Sequence, residues 1–252
     1  MSKLEKEPQD ALPAFRAAVA HDTLALAVLH NEELTAEMIT RLRTGRFPLD
    51  LCLNLVSEHG TETIRLLQAG IESIGDTVDQ ETLDELAADY AAIYLTHSLH
   101  ASPYESVWLD EEGLAMQEPM FQIREAYERH GLSVHDWRHR SDDHLVLQLQ
   151  FVSHMLENAA PFEEIATFLD EHLLRWLPDF GSRVAARCAT PCYAGLAAFT
   201  AAYMDEVRDL LAEVLDQPRP SREEVEQRLK QAQTSEVALP DPKFVPGAAP
   251  SW

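Results

Sequence analysis

The sequence predicts an all-α fold: a single globular bundle of about nine or ten helices with one long aromatic loop and flexible termini. Almost every readable segment has apolar residues at the i, i+3, i+4 and i+7 spacing of an amphipathic helix. Alanine and leucine, which favour helices, are common, and no segment is confidently assigned as a strand. With 252 residues, 46% of them hydrophobic, the chain is long enough to bury a substantial core.

The helical patterns follow one another along the chain. Before the loop they cover 15–30, 35–43, 49–59, 61–76 and 82–97. After the loop at 98–113 they cover 116–131, 143–158, 161–180 and 192–215. Gly131 is expected to end its helix, and Ser141 or Asp142 to cap the next one. We therefore expect a flexible tail at 1–12, an all-helical domain at 13–216, and a proline-rich, charged tail at 217–252 with one short helix at most.

Charge and composition narrow the class of protein. Forty-three acidic residues against 20 basic ones give a net charge of −23, which repels phosphate backbones and argues against nucleic-acid binding. No uninterrupted apolar run has the length of a membrane span, and the N-terminus lacks the apolar core of a signal peptide. The three cysteines suit a reducing compartment. These features predict a soluble, cytoplasmic protein.

The segment 135–145, HDWRHRSDDHL, concentrates three histidines and three aspartates. It is compatible with a metal site, in which His135 and His139 share a face, and also with plain capping of the helix that follows. A third interpretation is a metal-dependent phosphohydrolase of the HD class. That site would draw on His97 or His100, on His135 with Asp136, and on Asp170.

Other catalytic motifs are missing from the sequence. There is no glycine-rich phosphate loop, no G-x-S-x-G elbow and no evident nucleophile with its base. We therefore predict that the protein is not an enzyme and needs no cofactor or metal, with the HD-type hydrolase as the alternative.

Four segments resemble, in order and spacing, one family of helical proteins. Asp143-His144-Leu145 followed by Gln148-Leu149-Gln150-Phe151 resembles a DHL-x-x-E-L-x-F motif, and ADYAAIYLTHSLHASPYESVWLDEEGL resembles the helix end and loop that precede it. REAYERHGL and HLLRWLPDF…CYAGLAAFTAAYM are similar to later helices. The family is that of the TorD/DmsD/NarJ-like cytoplasmic chaperones of molybdopterin oxidoreductases, and the likeness covers about residues 83–212.

The resemblance implies a function and a partner. Such a protein binds the twin-arginine leader and the apo form of a molybdopterin oxidoreductase precursor, supports cofactor insertion and delays export. Glutamine at 148 replaces the usual glutamate, and Arg140-Ser141 stands where Glu-Pro is frequent, so the identity of the client stays open. The candidate peptide-binding residues are Tyr90, Tyr94, Tyr104, Glu105, Ser106, Trp108, Asp142, Asp143, His144 and Gln148.

The chemistry of these side chains suits a leader peptide. Arginines favour bidentate carboxylate partners, which Glu105, Asp142 and Asp143 would supply. The apolar part of a leader favours a hydrophobic groove, which the four aromatic residues would line. Each has a structural alternative: core packing for the tyrosines of the helix, anchoring of the loop for Tyr104 and Trp108, and a satisfied helix-start position for His144. The hypothesis requires the aromatic loop to fold over the helix that begins near Asp142.

Overall fold

A computed structural model describes residues 7–236, with side chains described from 11 to 231. It divides into two compact units, Met1–Arg219 and Pro220–Trp252. The described residues form α-helices and no strand, so the all-α prediction is confirmed. The helices of the first unit are α1 Glu7–Asn31, α2 Ala36–Gly45, α3 Glu58–Ser73, α4 Gln80–Tyr90, α5 Ser106–Leu109, α6 Glu118–Arg129, α7 Leu145–Glu157, α8 Phe162–Glu171, α9 Leu177–Arg187 and α10 Pro191–Leu215. The second unit contains α11 Arg222–Glu236.

The core of the first unit is built on three helix pairs, α3 with α10, α1 with α7, and α9 with α10. Helices α3 and α10 approach closely because two glycines remove side chains from the contact. A Cβ atom on Gly195 would lie 2.5 Å from Leu67 Cα, and one on Gly70 would lie 2.6 Å from the Pro191 carbonyl oxygen. Trp176 and Phe180 are fully buried in this core.

The segment 49–57 is not helical, contrary to the expectation for 49–59. Buried carboxylates bind its backbone N–H groups: Asp22 accepts from Cys52 and Leu53, at 3.0 and 2.8 Å. Glu206 accepts from Val56 at 2.6 Å and from Ser57 at 3.3 Å. The helix begins only at α3, because these N–H groups are bonded to carboxylates from remote helices.

The segment 161–180, expected to form one amphipathic helix, forms two helices. Helix α8 ends at Glu171, a 3₁₀ turn follows at Leu173–Arg175, and α9 begins at Leu177. The break occurs at His172, whose φ of −123° and ψ of −86° lie outside the helical range. The His172 side chain is buried against Glu105, so a contact with the aromatic loop accompanies the break.

The terminal boundaries differ from those expected. Helix α1 begins at Glu7, inside the segment 1–12, and the helix in the C-terminal segment has 15 residues. The remaining expectations of flexible tails, at 1–6 and 237–252, lie outside the described residues. By length and apolarity, Ala11–Asn31 of α1 passes as a candidate membrane span. It instead packs against α7 and carries the buried Asp22, as a core helix does.

Candidate functional site

The aromatic loop folds against the start of α7, as the sequence hypothesis requires. Tyr104 and His144 form an isolated antiparallel β-bridge. The Glu105 N–H donates to the Asp143 carbonyl at 3.1 Å, and the Leu145 N–H donates to the Pro103 carbonyl at 2.8 Å. We call residues 103–106 with 141–145 the clasp. Its backbone bonds join two segments that lie about 40 residues apart in the sequence.

Asp143 is the central side chain of the clasp. It is completely buried, and its Oδ2 accepts the Ser106 N–H at 2.9 Å where α5 begins. Its Oδ1 accepts from the Ser141 hydroxyl at 2.5 Å. The carboxylate therefore orients both halves of the clasp and satisfies the buried Ser106 N–H at the start of a helical turn.

Glu105 connects the clasp to the break between α8 and α9. It is also completely buried, and its Oε1 accepts from His172 Nδ1 at 3.0 Å. Its Oε2 accepts from Gln148 Nε2 at 3.1 Å, and the same amide donates to the Asp143 carbonyl at 3.0 Å. Glu105 and Gln148 thus fix the loop, α7 and His172 in one arrangement.

Asp142 forms an ion pair with a neighbouring helix. Its Oδ2 lies 2.8 Å from Arg124 Nη2, and its backbone carbonyl accepts from the Tyr127 hydroxyl at 2.9 Å. The Asp142 side chain is only 2% exposed. The expectation that Glu105, Asp142 and Asp143 pair with leader arginines is therefore corrected: all three are buried and bonded within the protein, and they support the site without presenting charge at its surface.

His144 is the N-cap of α7, a position that the sequence analysis assigned to Ser141 or Asp142. Its Nδ1 accepts the Val146 N–H at 3.1 Å. Burial, with a smaller contribution from Arg140, lowers the pKa of His144 well below the usual value. The neutral ring is the form that accepts this hydrogen bond. His144 is therefore a satisfied helix-start residue, which was the alternative to peptide binding.

Two aromatic residues of the loop reach the surface in part. The Tyr104 ring stacks on His97 with centroids 5.6 Å apart and meets the His144 ring edge-on at 4.9 Å. The Trp108 Nε1 donates to the Ser102 carbonyl at 2.8 Å, and the Arg183 guanidinium lies 4.4 Å above its ring. Both residues are partly buried, so each anchors the loop while part of the residue stays accessible.

Tyr90 and Tyr94 are core residues. They are 6% and 5% exposed, and their ring centroids lie 4.8 Å apart. The Tyr90 hydroxyl donates to the Asn31 carbonyl at 2.7 Å, and the Tyr94 hydroxyl contacts His30. Tyr94 lies in a π-helical segment, Ala91–Leu95, that extends α4. Core packing, rather than the lining of a groove, describes both residues.

Two adjoining cavities next to the clasp were missed by sequence reasoning. The acidic pocket, of about 230 Å³, is lined by Ala126, Arg129, Phe151, Met155, Glu163, Glu164, Thr167, Phe168, Glu171 and His172. The second pocket, of about 290 Å³, has a wall of Leu132, Val134, Leu147 and Phe151, for which we call it the apolar pocket, and it is also lined by the polar residues Tyr127, Ser133, Gln150 and His154. Phe151 belongs to both. His130 packs edge-on against Phe151 at 5.1 Å and donates to Glu164 at 2.9 Å.

The acidic pocket is in direct contact with the clasp, because His172 is both a wall of the pocket and the partner of Glu105. Its carboxylates come from the first and last turns of α8. The only signal in the sequence is the pair Glu163-Glu164 after Pro161, and acidic residues in that position are typical of the first turn of any helix. The apolar pocket uses Leu132 and Val134, which lie in a connection where no helical periodicity marks them.

The residues of the hydrolase alternative are arranged differently from an HD site. Asp170 accepts two hydrogen bonds from Arg208, at 2.8 and 2.9 Å. His135 and Asp136 are exposed, and in the described part of the chain they form no group of three close metal ligands with Asp170. The His139 ring pairs with Asp136 and, among the residues with described side chains, belongs to no group of three close metal ligands.

Comparison with known proteins identifies the family. Residues 61–182 match the family model described as the nitrate reductase delta subunit. The chain is also similar to proteins named Chaperone protein TorD. That of Vibrio cholerae serotype O1 Classical Ogawa is 27% identical over 203 residues, covering 76% of this chain and 91% of the relative. That of the El Tor Inaba strain is 31% identical over 149 residues, covering 55% and 67%.

A third relative, the Chaperone protein TorD of Psychrobacter sp., is 28% identical over 203 residues, covering 75% of this chain and 90% of its own. The chain belongs to the family of TorD-like chaperones.

Proposed function

We propose that this protein is a cytoplasmic assembly chaperone, without enzymatic activity, for a molybdopterin oxidoreductase. It binds the twin-arginine leader and the apo form of that precursor, supports cofactor insertion and delays export. Membership of the TorD-like chaperones supports the general role. The observation that carries the finer proposal is the acidic pocket directly beside an apolar pocket, with Phe151 as their common wall.

The paired pockets suit the order of chemical groups in such a leader. Two arginines come first, and charged donors of this kind bind carboxylates in short, often bidentate, hydrogen bonds. Glu163 and Glu164 would offer those carboxylates at the edge of an apolar floor, where Glu164 also pairs with His130 and Arg129 forms part of the wall. The apolar stretch that follows the arginines then meets Leu132, Val134 and Leu147, in the manner of an amphipathic segment in a groove.

The clasp has a supporting role in this proposal. Glu105 holds His172, and therefore one wall of the acidic pocket, in place. The same supporting role is proposed for Ser106, Asp143 and Gln148. They hold Glu105 and the backbone of the clasp in position and do not contact the client. Tyr104 and Trp108, which are partly exposed, are proposed as contacts for the same client.

Removal of the pocket's charge should weaken leader binding. In a calorimetric titration with a synthetic twin-arginine peptide, the double variant Glu163→Gln/Glu164→Gln should lose about tenfold or more in affinity, since a hydrogen bond to a charged group contributes about 1.5 to 3 kcal/mol. The matched control is Glu81→Gln/Glu85→Gln, which removes the same charge from the exposed face of α4.

The control separates local contacts from overall charge. If both double variants bound the peptide as tightly as the unaltered protein, the acidic pocket would not be the arginine site. If both lost affinity equally, the net charge of the protein, and not this pocket, would attract the peptide.

A further inference from the structure

A compact group of metal-ligand side chains lies where the segment after α2 meets α1. Within residues 11–231, whose side chains are described, the candidate ligand atoms of His21, Asp22 and Cys52 lie within 4.8 Å of one another. His21 Nδ1 is 3.2 Å from Asp22 Oδ1 and 3.9 Å from Cys52 Sγ. We propose that these three residues bind a divalent ion of the zinc class, which joins α1 to the segment 46–57.

The separations are close to those of tetrahedral coordination, but not equal to them. Zinc bonds of about 2.0 Å to nitrogen and oxygen and about 2.3 Å to sulfur hold neighbouring ligand atoms roughly 3.3 to 3.6 Å apart. The two measured separations fall on either side of that range. His21 and Cys52 are exposed, so small rotations of their side chains bring all three atoms to bonding distance. Imidazole, thiolate and carboxylate together suit zinc, whereas calcium and magnesium favour oxygen ligands alone.

The carboxylate of the group is already held in position. Asp22 is completely buried, and its Oδ1 accepts the Cys52 N–H at 3.0 Å. Its Oδ2 accepts from the Leu53 N–H at 2.8 Å and the Tyr203 hydroxyl at 2.9 Å. Hydrogen bonds of this kind behind a metal ligand fix its orientation. The ion replaces only the contact between Asp22 and His21, and the other three bonds stay.

The fourth ligand of the ion comes from the solvent, on the exposed side of the group. Coordination releases the thiol proton of Cys52 to solvent, and a water molecule occupies the fourth position. His21 also lines a groove of about 680 Å³ between α1 and the α7–α8 region, so the ion lies at the edge of that groove. Sequence spacing does not reveal the group, because Cys52 lies thirty residues after Asp22 and no C-x-x-C or H-x-x-x-H pattern accompanies them.

Cobalt titration tests the site. Metal-free, reduced full-length protein titrated with Co²⁺ should develop a thiolate-to-cobalt charge-transfer band that saturates at one ion per chain and disappears when Zn²⁺ is added. Cys52→Ser should abolish the band. His21→Ala and Cys52→Ser should each lower zinc affinity by about a hundredfold, and Tyr203→Phe by about tenfold through the loss of one bond to Asp22.

Matched controls use the same residue types elsewhere in the chain. Cys188→Ser and His59→Ala should leave the band and the zinc affinity unchanged. Circular dichroism verifies that each variant is folded, and the exposed positions of His21 and Cys52 favour this. A band that persists in Cys52→Ser, an unchanged zinc affinity in both ligand variants, or the lack of any band in the unaltered protein would overturn the proposal. Leader binding is measured in parallel, and its success or failure does not depend on this site.

Discussion

Buried carboxylates connect segments that are remote in the sequence. Asp22 and Glu206 bind the backbone of 52–57, Asp89 accepts the N–H groups of Ala189 and Thr190, and Glu105 holds His172. Aspartate and glutamate are exposed in most proteins, so a sequence pattern assigns them to the surface by default. For Glu105 and Asp143 that default suggested ligand contacts, whereas their physical role is to satisfy backbone and side-chain donors in the interior.

The buried His30 should make stability depend on pH. Its Nε2 lies 2.8 Å from Thr200 Oγ1, whose hydroxyl donates to the Leu196 carbonyl, so Nε2 carries the proton and Nδ1 accepts from Tyr94. Burial lowers the pKa of His30 to about 3, against about 6.5 in an unfolded chain. Between these values the unfolded state binds more protons, so the stabilisation is complete above about 6.5 and is lost as the pH falls toward 3.

We therefore expect His30→Gln to reduce the slope of the unfolding free energy against pH. The reduction should be about 1.4 kcal/mol per pH unit between roughly pH 4 and pH 6, measured by urea denaturation. His59→Gln, at an exposed position, is the control and should leave the slope unchanged. A slope in His30→Gln equal to that of the unaltered protein would contradict the assignment of a neutral, buried imidazole.

At the scale of elements, the clasp should open as one unit. The N–H groups of Glu105 and Leu145 donate across it in opposite directions, and Asp143 bonds to both halves. Asp143→Ala leaves the Ser106 N–H and the Ser141 hydroxyl without their acceptor, which costs about 1 to 3 kcal/mol for each buried group. Hydrogen exchange should then show that the Glu105 and Leu145 amides lose protection together.

Two controls show whether the loss of protection is confined to the clasp. Amides in the middle of α3 should keep their protection, and Asp136→Ala, at an exposed position, should change neither clasp amide. If Glu105 lost protection in Asp143→Ala while Leu145 did not, the two segments would open independently and the clasp would not be a cooperative unit.

Hydrophobic periodicity in the sequence is sufficient to predict some helices of this protein and not others. Long periodic segments such as 15–30 and 192–215 were predicted as helices and lie within α1 and α10, because each buries apolar residues over most of its length. The prediction was wrong at 49–57 and at the break within 161–180. In both places a buried carboxylate from elsewhere in the chain bonds to the segment. The hydrophobic periodicity of the segment does not reveal that partner.

At the scale of the whole molecule, the close approach of α3 and α10 sets the stability of the bundle. In a helix interior, replacement of glycine by alanine normally stabilises by about 1 kcal/mol. We expect the opposite sign for Gly195→Ala, a loss of about 1 to 3 kcal/mol, because the added methyl group would overlap the backbone of Leu67. Thermal or urea unfolding measures this directly, and an increase in stability would show that the two helices lie farther apart.

The fold class and the family follow from the sequence, since both depend on patterns that extend over many residues. The candidate pockets do not. Their walls come from α6, α7, α8 and a connecting segment, and the residues that matter, Glu163, Glu164, Leu132 and Val134, look like an ordinary helix start and an ordinary loop. Only the three-dimensional arrangement shows that acidic and apolar walls adjoin at Phe151.

Net charge and local charge act together on a basic ligand. The −23 formal charge would attract a cationic leader at long range, an effect that physiological salt screens beyond about 8 Å. Specific binding then depends on contacts at short range. The central claim is that the acidic pocket supplies them.

A charge-swap titration tests that claim most directly. Glu163→Arg/Glu164→Arg should abolish binding of the twin-arginine peptide and should gain binding of a peptide whose two arginines are replaced by glutamates, while Glu81→Arg/Glu85→Arg should do neither. Retention of twin-arginine binding by the pocket variant, together with no gain for the twin-glutamate peptide, would contradict the account.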